Sequence, residues 1–171
     1  MRSRTAGPGE QEFGGLDVLI SNVGLNVPSP IGEATDEDCD LVFCTNTRAT
    51  FVALREAARR IRDGGRIVSI SSGAAVMARA GSGLYAASKA ASDTMVRVLA
   101  KELGPRGVTV NSVLPGATRT DGLLAAPRSA WEPWVADTPL GRLGEPEDIS
   151  DVVDGGRWIT GQAVHAGGGV F

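Results

Sequence analysis

The stretch Arg66–Lys89, RIVSISSGAAVMARAGSGLYAASK, decides the fold of this chain. Its opening part, Arg66–Ser71, is an apolar run typical of a buried strand, and the glycine-containing loop Gly73–Gly83 follows it. A helical pattern then begins at Ser82 or Gly83 and continues to Gly104-Pro105, a pair that ends helices. A strand that leads into a helix of this length predicts a crossover unit of a parallel sheet.

Further strands and helices alternate on both sides of this stretch. Thr35 or Asp36 begins a helix, and apolar residues carry it to Asp63-Gly64-Gly65, where we expect it to stop. Pro115–Leu143 contains several prolines and glycines and is predicted to be irregular. The remaining predicted elements are strands at Leu16–Ser21, Val108–Leu114 and Gln162–Ala166 and a short helix at Glu145–Val153 with Pro146 in its first turn.

Length and composition fit one globular domain of the α/β class, which we place at residues 13–171 after a disordered or remnant tail at 1–12. The net charge of −3 and the lack of a basic run argue against nucleic acid as a partner. No stretch approaches the ~18 apolar residues that a membrane span needs. Cys39 and Cys44 point to different faces of a predicted helix, which indicates free thiols and a cytoplasmic location.

The only tyrosine, Tyr85, and one of the two lysines, Lys89, are separated by one helical turn. Residues four apart project from the same helix face, so the ammonium group can lie near the phenol. A nearby cation favours the ionised form of a phenol, which can then exchange a proton with a substrate oxygen near neutral pH. Read alone, the same pair is more often an ordinary pair on a solvated helix face.

Several short motifs, in their order along the chain, resemble the short-chain dehydrogenase/reductase family, in its single-domain, 3-oxoacyl reductase-like branch. Tyr85-Ala86-Ala87-Ser88-Lys89 is similar to the family's Tyr-x-x-x-Lys motif, and Ser72 has the family's spacing to that tyrosine. The resemblance covers about residues 12–171. The other matching segments are Ser21-Asn22-Val23-Gly24, the helix asparagine Asn46, the loop from Pro115-Gly116 to Thr120, Gly144–Ile149 and Trp158–Gln162.

This resemblance implies a Rossmann-type fold and reversible hydride transfer between NAD or NADP and a small carbonyl compound or secondary alcohol. Tyr85 would donate or accept the proton, Lys89 would assist it and bind the nicotinamide ribose, and Ser72 would hold the substrate oxygen. Asn46 would hold a water of a proton relay. The cofactor-binding residues that the resemblance implies are Asn22, Gly24, Tyr85, Lys89, Pro115, Gly116, Thr118 and Thr120.

For the loop residues a plain structural interpretation stays open: Asn22 and Gly24 would form a turn, and Pro115–Thr120 an ordinary loop after a strand. Trp131 and Trp134 either cover the substrate or belong to the core, and His165 is interpreted as structural. No His or Cys spacing is typical of a metal site, so no metal is expected.

The sequence also departs from the family. It lacks the opening strand–helix repeats and their Thr-Gly-x-x-x-Gly-x-Gly phosphate loop, so we expect an incomplete Rossmann-type sheet without the first βαβαβ portion, from an N-terminally truncated gene product. Two functions therefore remain open, an oxidoreductase and a non-catalytic pseudoenzyme or oligomerisation module. The apolar stripes of the two long helices predict a homo-oligomer in either case.

Overall fold

Four parallel strands form the centre of the molecule. The computed structural model describes residues 12–171, and its strands pair in the order β1-β2-β3-β4, which is also their order in the sequence. The strands are β1, Leu16–Ser21; β2, Ile61–Ile70; β3, Thr109–Pro115; and β4, Ala163–Ala166.

Helices connect these strands in the alternating manner that the sequence predicts. Between β1 and β2 lie α1, Asp36–Phe43, a π-helical turn at Cys44–Arg48, and α2, Ala49–Arg60. The helix between β2 and β3 is α3, Gly83–Leu103. Three helices precede β4: α4, Asp121–Leu124; α5, Arg128–Asp137; and α6, Pro146–Asp154.

Neighbouring residues of a strand point to opposite faces of the sheet, so each face presents its own apolar side chains. Helices cover both of these faces. One core contains Ile67 of β2 and Val110 of β3, packed against α2 and α3, and both side chains are 0% exposed. The other contains Val68 and Val113, packed against Val153 of α6. Full burial of each such side chain stabilises the fold by about 1.5–3 kcal/mol relative to exposure. The predicted α/β class, a parallel sheet flanked by helices, is confirmed.

Local signals explain most of the element boundaries. Thr35, one of the two predicted caps, accepts a hydrogen bond from the Asp38 amide at 3.1 Å, and the Thr35 amide donates one to the Asp38 carboxylate at 3.2 Å. This reciprocal pairing satisfies two amides that would otherwise lack partners at the start of α1. Pro146 occupies the first turn of α6, where its missing N–H costs nothing.

The predicted stop at Asp63-Gly64-Gly65 of the helix that begins at Thr35 or Asp36 is wrong. Helix α2 ends at Arg60, and Ile61 already belongs to β2, where it pairs with Leu16 across an irregular register. Ile61 is 1% exposed, so the tertiary contacts of its side chain decide its conformation. The predicted irregular segment Pro115–Leu143 also contains two short helices, α4 and α5.

Two further predictions, the tail at residues 1–12 and the absence of the first βαβαβ portion of the sheet, can be compared with the structure only in part. Nearly all of the proposed tail at residues 1–12 lies outside the described residues. Within the described part, β1 pairs only with β2, and Val18 and Ile20 on it are each 51% exposed. None of the helices in residues 12–171 combines the length and apolar character needed to cross a bilayer.

Candidate active site

A groove of about 1020 Å³ opens where the strands β1, β2 and β3 end. The carboxyl ends of parallel strands meet at one edge of a sheet, and ligands of open α/β sheets bind in the crevice beyond that edge. The groove is lined by the end of β1 and the loop after it, by the end of β2, by α3, by the loop after β3, and by residues of α5 and α6.

Ser72, Tyr85 and Lys89 all line this groove. Ser72 ends the extended segment of β2, and its hydroxyl accepts a hydrogen bond from the Ala74 amide at 3.2 Å, which starts a short helical turn. Tyr85 and Lys89 lie one turn apart on α3, with the Lys89 Nζ 5.9 Å from the centroid of the phenol ring. A side chain from the strand and two from the helix therefore share one cavity.

Lys89 is a buried cation that is fixed by backbone groups. It is 4% exposed, and its Nζ donates to the carbonyl oxygens of Val23 at 2.8 Å and Ile70 at 2.9 Å. Burial lowers the pKa of the Lys89 ammonium, and the negative charge of Asp93 opposes that shift. An ammonium has three donors, so these two bonds leave one for a ligand in the groove.

Asn46 lies behind the groove rather than in its lining. Its side chain is 0% exposed and lies in the π-helical turn, a feature often found at functional sites. The Asn46 Oδ1 accepts from the Leu25 amide at 2.8 Å, and Nδ2 donates to the Leu25 carbonyl at 2.9 Å and to the Ser88 hydroxyl at 2.9 Å. Ser88 in turn donates to the Tyr85 carbonyl at 2.7 Å. Asn46 thus connects the loop after β1 to the helix that carries Tyr85.

Two of the predicted loop positions leave little room for a side chain, and the crowding is tighter at Gly116 than at Gly24. A Cβ on Gly24 would lie 3.2 Å from the Lys89 Nζ, and a Cβ on Gly116 would lie 2.9 Å from the Gly167 Cα. Asn22 is exposed and lines the groove beside Gly24. A side chain at Gly24 would displace the ammonium, and one at Gly116 would push apart the ends of β3 and β4.

The loop after β3 contributes a short wall of small side chains, Pro115, Gly116, Thr118 and Thr120, all of which line the groove. The Thr118 hydroxyl donates to the Gly116 carbonyl at 3.1 Å. The Thr120 hydroxyl accepts from the Leu123 amide at 3.3 Å and caps α4. The structure therefore brings all eight of the predicted cofactor residues to one groove.

The two tryptophans have different positions. Trp134 of α5 lines the groove, and the Arg79 guanidinium lies 5.5 Å from its ring centroid. Trp131 is half-buried outside the lining, and its indole N–H has no acceptor among the described residues. His165 also lies outside the lining, 4.9 Å from the Phe171 ring. Residues 12–171 bring together no group of three or more side chains suited to a metal.

Sequence reasoning missed three residues that order the site. Ser88, inside the Tyr-x-x-x-Lys motif, joins Asn46 to the backbone of Tyr85. Asp93 accepts a hydrogen bond from Ser71, the residue before Ser72, at 2.9 Å. Arg79 reaches Trp134 from the loop after β2. The available signal for Asp93 was its spacing, because it follows Lys89 by four residues on the same face of α3.

Comparison with known proteins identifies relatives over nearly the whole chain. The family model described as enoyl-(acyl carrier protein) reductase matches residues 4–171. An uncharacterized oxidoreductase of Methylorubrum extorquens is 39% identical over 168 residues, in an alignment that covers 94% of this chain and 68% of that protein. A versicolorin reductase of Emericella nidulans is 36% identical with the same coverage. A hydroxynaphthalene reductase-like protein of Metarhizium brunneum is 39% identical, with 93% of this chain and 67% of that protein covered.

Solved structures agree with these relatives. A blue fluorescent protein from a metagenomic library, in complex with NADPH, superposes with a TM-score of 0.87 at 40% identity, covering 94% of this chain and 67% of that one. A dehydrogenase/reductase from Sinorhizobium meliloti superposes with a TM-score of 0.88 at 41% identity, covering 94% and 66%. The present chain thus spans about two thirds of the length of the proteins that it matches.

Proposed function

This chain belongs to the short-chain dehydrogenase/reductase family, and from that premise we propose that it is an NAD(P)-dependent oxidoreductase that interconverts a carbonyl compound and a secondary alcohol. One observation carries the proposal: Ser72, Tyr85 and the buried Lys89 line one groove at the carboxyl end of a parallel sheet. If Tyr85 and Lys89 were an ordinary pair on a solvated helix surface, the lysine side chain would be exposed rather than buried. The cofactor is NAD or NADP, and the NADPH-bound neighbour supports a nicotinamide.

Each side chain has a chemical role that fits its surroundings. The Tyr85 hydroxyl donates a proton to the carbonyl oxygen of the substrate, or accepts one from the alcohol in the reverse direction. The Lys89 ammonium lies 5.9 Å from the centroid of the Tyr85 ring, and its position is fixed by the carbonyls of Val23 and Ile70. The Ser72 hydroxyl donates to the same substrate oxygen and stabilises the charge that develops there.

Asn46 acts through the backbone. Its amide group keeps the Leu25 segment and the Tyr85 turn of α3 in place, and a water held near it would connect Lys89 to solvent for proton exchange. This role explains why a polar side chain interrupts a helix at a position that is 0% exposed.

The residues of the groove fit the nicotinamide end of a dinucleotide. The free donor of Lys89 would bind the ribose hydroxyls, and Asn22, Gly24 and the loop Pro115–Thr120 would contact the nicotinamide and its phosphate. Gly24 and Gly116 suit this task, since neither has a side chain that would project into the groove. When bound, the nicotinamide supplies the redox chemistry of the reaction.

The groove favours an uncharged substrate. Among the described residues that line it, the ionisable ones are Tyr85, Lys89 and Asp154, and Lys89 already donates to two carbonyls. Trp134 and Leu123 add apolar surface on the side of α4 and α5. A small carbonyl compound with an apolar body is the substrate class that fits this lining, and the hydroxynaphthalene reductase-like relative makes a bicyclic aromatic ketone a reasonable first probe.

The test is turnover of α-tetralone with NADPH and with NADH, by the 171-residue chain and by any longer form that its gene encodes. We expect Tyr85→Phe to lower kcat by about 10²–10⁴-fold while cofactor binding persists, because only the proton transfer is lost. Thr94→Ala, on an exposed position of the same helix, is the matched control and should leave turnover unchanged. Undiminished turnover by Tyr85→Phe would refute the proposal.

A non-catalytic association module is the second candidate. It is favoured by the exposed apolar side chains of the helices, among them Leu41, Phe51, Val52 and Val98, which suit contact with a second copy. A folded chain that sediments as an oligomer, binds neither nicotinamide cofactor and has no turnover would support this alternative.

We retain the cytoplasm as the compartment, since Cys39 and Cys44 are both free thiols.

A further inference from the structure

A buried polar cluster lies directly behind the groove. It is formed by Asp93 of α3, Ser71 after β2 and Ser112 of β3, which are 6%, 5% and 1% exposed. The Ser71 hydroxyl donates to the Asp93 Oδ2 at 2.9 Å. This is a buried bond between two side chains, and it joins α3 to the end of β2.

The cluster is costly for the fold. Neither the Asp93 Oδ1 nor the Ser112 Oγ has a partner in hydrogen-bonding geometry among the described residues, although the Ser112 hydroxyl lies near enough to favour the ionised Asp93 carboxyl. Burial raises the pKa of the Asp93 carboxyl, against the favourable effects of the hydroxyls of Ser112 and Ser71 and of the Lys89 charge. A buried carboxylate with an unsatisfied oxygen destabilises a protein, so a packing role alone does not account for an acid at this position.

The position of Asp93 relates it to both parts of the site. On α3 it follows Lys89 by one turn, as Lys89 follows Tyr85, so the three side chains share one face. Through Ser71 it is bonded to the residue that precedes Ser72. The same carboxylate therefore bonds to the segment that carries Ser72 and lies one helical turn from Lys89.

We propose that Asp93 is a positioning residue of this site, which keeps Lys89 charged in its buried position and holds the Ser72 segment against α3. The inference rests on the proposed function for its catalytic meaning, but the Lys89–Asp93 coupling can be measured without turnover. The charged groups that act on Asp93 are both on α3: Lys89, one turn before it, and Arg97, one turn after it. From the neighbouring strands, the Ser71 hydroxyl donates to Asp93, and the Ser112 hydroxyl favours the ionised carboxyl.

The first test uses the fact that the chain has two lysines. In protein labelled with ¹³C-lysine, the Cε resonances of Lys89 and Lys101 report two separate titrations, and Lys101 is exposed and serves as the internal reference. We expect Asp93→Asn to lower the titration midpoint of Lys89, since an opposite charge is lost. Asp40→Asn, on the exposed surface of α1, should shift neither lysine. An unchanged Lys89 midpoint in folded Asp93→Asn would overturn the proposal.

The second test separates the effect of the Asp93 charge from the effect of the Ser71–Asp93 hydrogen bond. Asp93→Asn removes the charge but keeps an oxygen that can accept from Ser71, whereas Ser71→Ala removes the bond and keeps the charge. We expect Ser71→Ala to leave the Lys89 midpoint in place, and we expect each variant to lower kcat about tenfold with little change in the KM for the cofactor. Asp93→Glu should recover part of the Lys89 shift. A kcat equal to wild type in both variants would refute the positioning role, whereas a wild-type chain without turnover, but with the Lys89 shift intact, would refute the proposed function instead.

Discussion

The two walls of the groove are held in place by different kinds of contact. The inner wall, formed by α3 and the ends of β1 and β2, is fixed by buried hydrogen bonds of Asn46, Ser88 and Lys89. The outer wall, formed by α4 and α5, contains no buried residue in either helix, and Pro133 lies inside α5. Its ion pairs are exposed at the surface, such as Arg128 with Glu132, whose side chains are 75% and 59% exposed.

This difference assigns different properties to the walls. Buried bonds are costly to break and define a single arrangement, which suits groups that must align with a reacting atom. Exposed ion pairs contribute only about 0–1 kcal/mol each, so a wall made of them opens at little cost. We infer that the chemistry belongs to the inner wall and that substrate entry and substrate choice belong to the outer one.

The largest expected effect is on the inner wall, from Asn46→Ala. This change leaves both backbone groups of Leu25 without their partners, so we expect the free energy of unfolding in urea to fall by about 2–4 kcal/mol. Asn26→Ala is the matched control in the same groove, because Asn26 is exposed, and it should change stability by less than about 0.5 kcal/mol. Equal losses in the two variants would remove the distinction between buried and surface bonds on which the comparison rests.

The outer wall gives a smaller and more local effect. Arg79 lies over the Trp134 ring and pairs with Asp137 at 3.7 Å, so it ties α5 to the loop after β2. Arg79→Gln removes a cation–π contact of about 0.5–1 kcal/mol, and we expect the α5 amides to exchange with solvent about two to five times faster.

The amides of α3 should not change in Arg79→Gln. Arg59→Gln is the control, since Arg59 pairs with Glu56 on the exposed surface of α2. Faster exchange in α3 as well would mean that the two walls unfold together, which would contradict their separation.

Sequence reasoning was most accurate for the inner wall. Leu16–Ser21 was placed with its observed boundaries, and the start of α3 at Ser82 or Gly83 was right, because an apolar run and a turn residue are local signals. The π-helical turn around Asn46 has no such signal, since it depends on the Leu25 and Ser88 contacts from distant segments. The helices α4 and α5 were missed because proline and glycine suggested an irregular loop.

The residue types and the spacing of the site could be predicted from the sequence, but the hydrogen bonds that join its segments could not. The spacing of Ser72, Tyr85 and Lys89 brought these residues into one hypothesis, and the structure brings them to one groove. The bonds of Lys89 to the backbone of Val23 and Ile70 join segments that lie far apart in the sequence, so no local pattern could indicate them.

The smallest effect concerns the junction between the walls, at the start of α6. Asp148 accepts from Arg142 at 2.6 Å and from the Glu145 amide at 2.7 Å, and these bonds lower the pKa of its carboxyl from 3.8 to about 2. A folded-state pKa below the unfolded value means that the stabilisation is present above pH 3.8 and is lost as the pH falls toward about 2. Asp148→Asn keeps an acceptor for the Glu145 amide but loses the charge, so its thermal midpoint should lie slightly below wild type at pH 5 and converge with it in acid. Asp151→Asn, on the exposed side of the same helix, should follow wild type throughout. A constant difference in thermal midpoint at every pH would show that the start of α6 does not depend on the Arg142–Asp148 charge pair. The junction would then be held, like the inner wall, by hydrogen bonds rather than by an exposed ion pair.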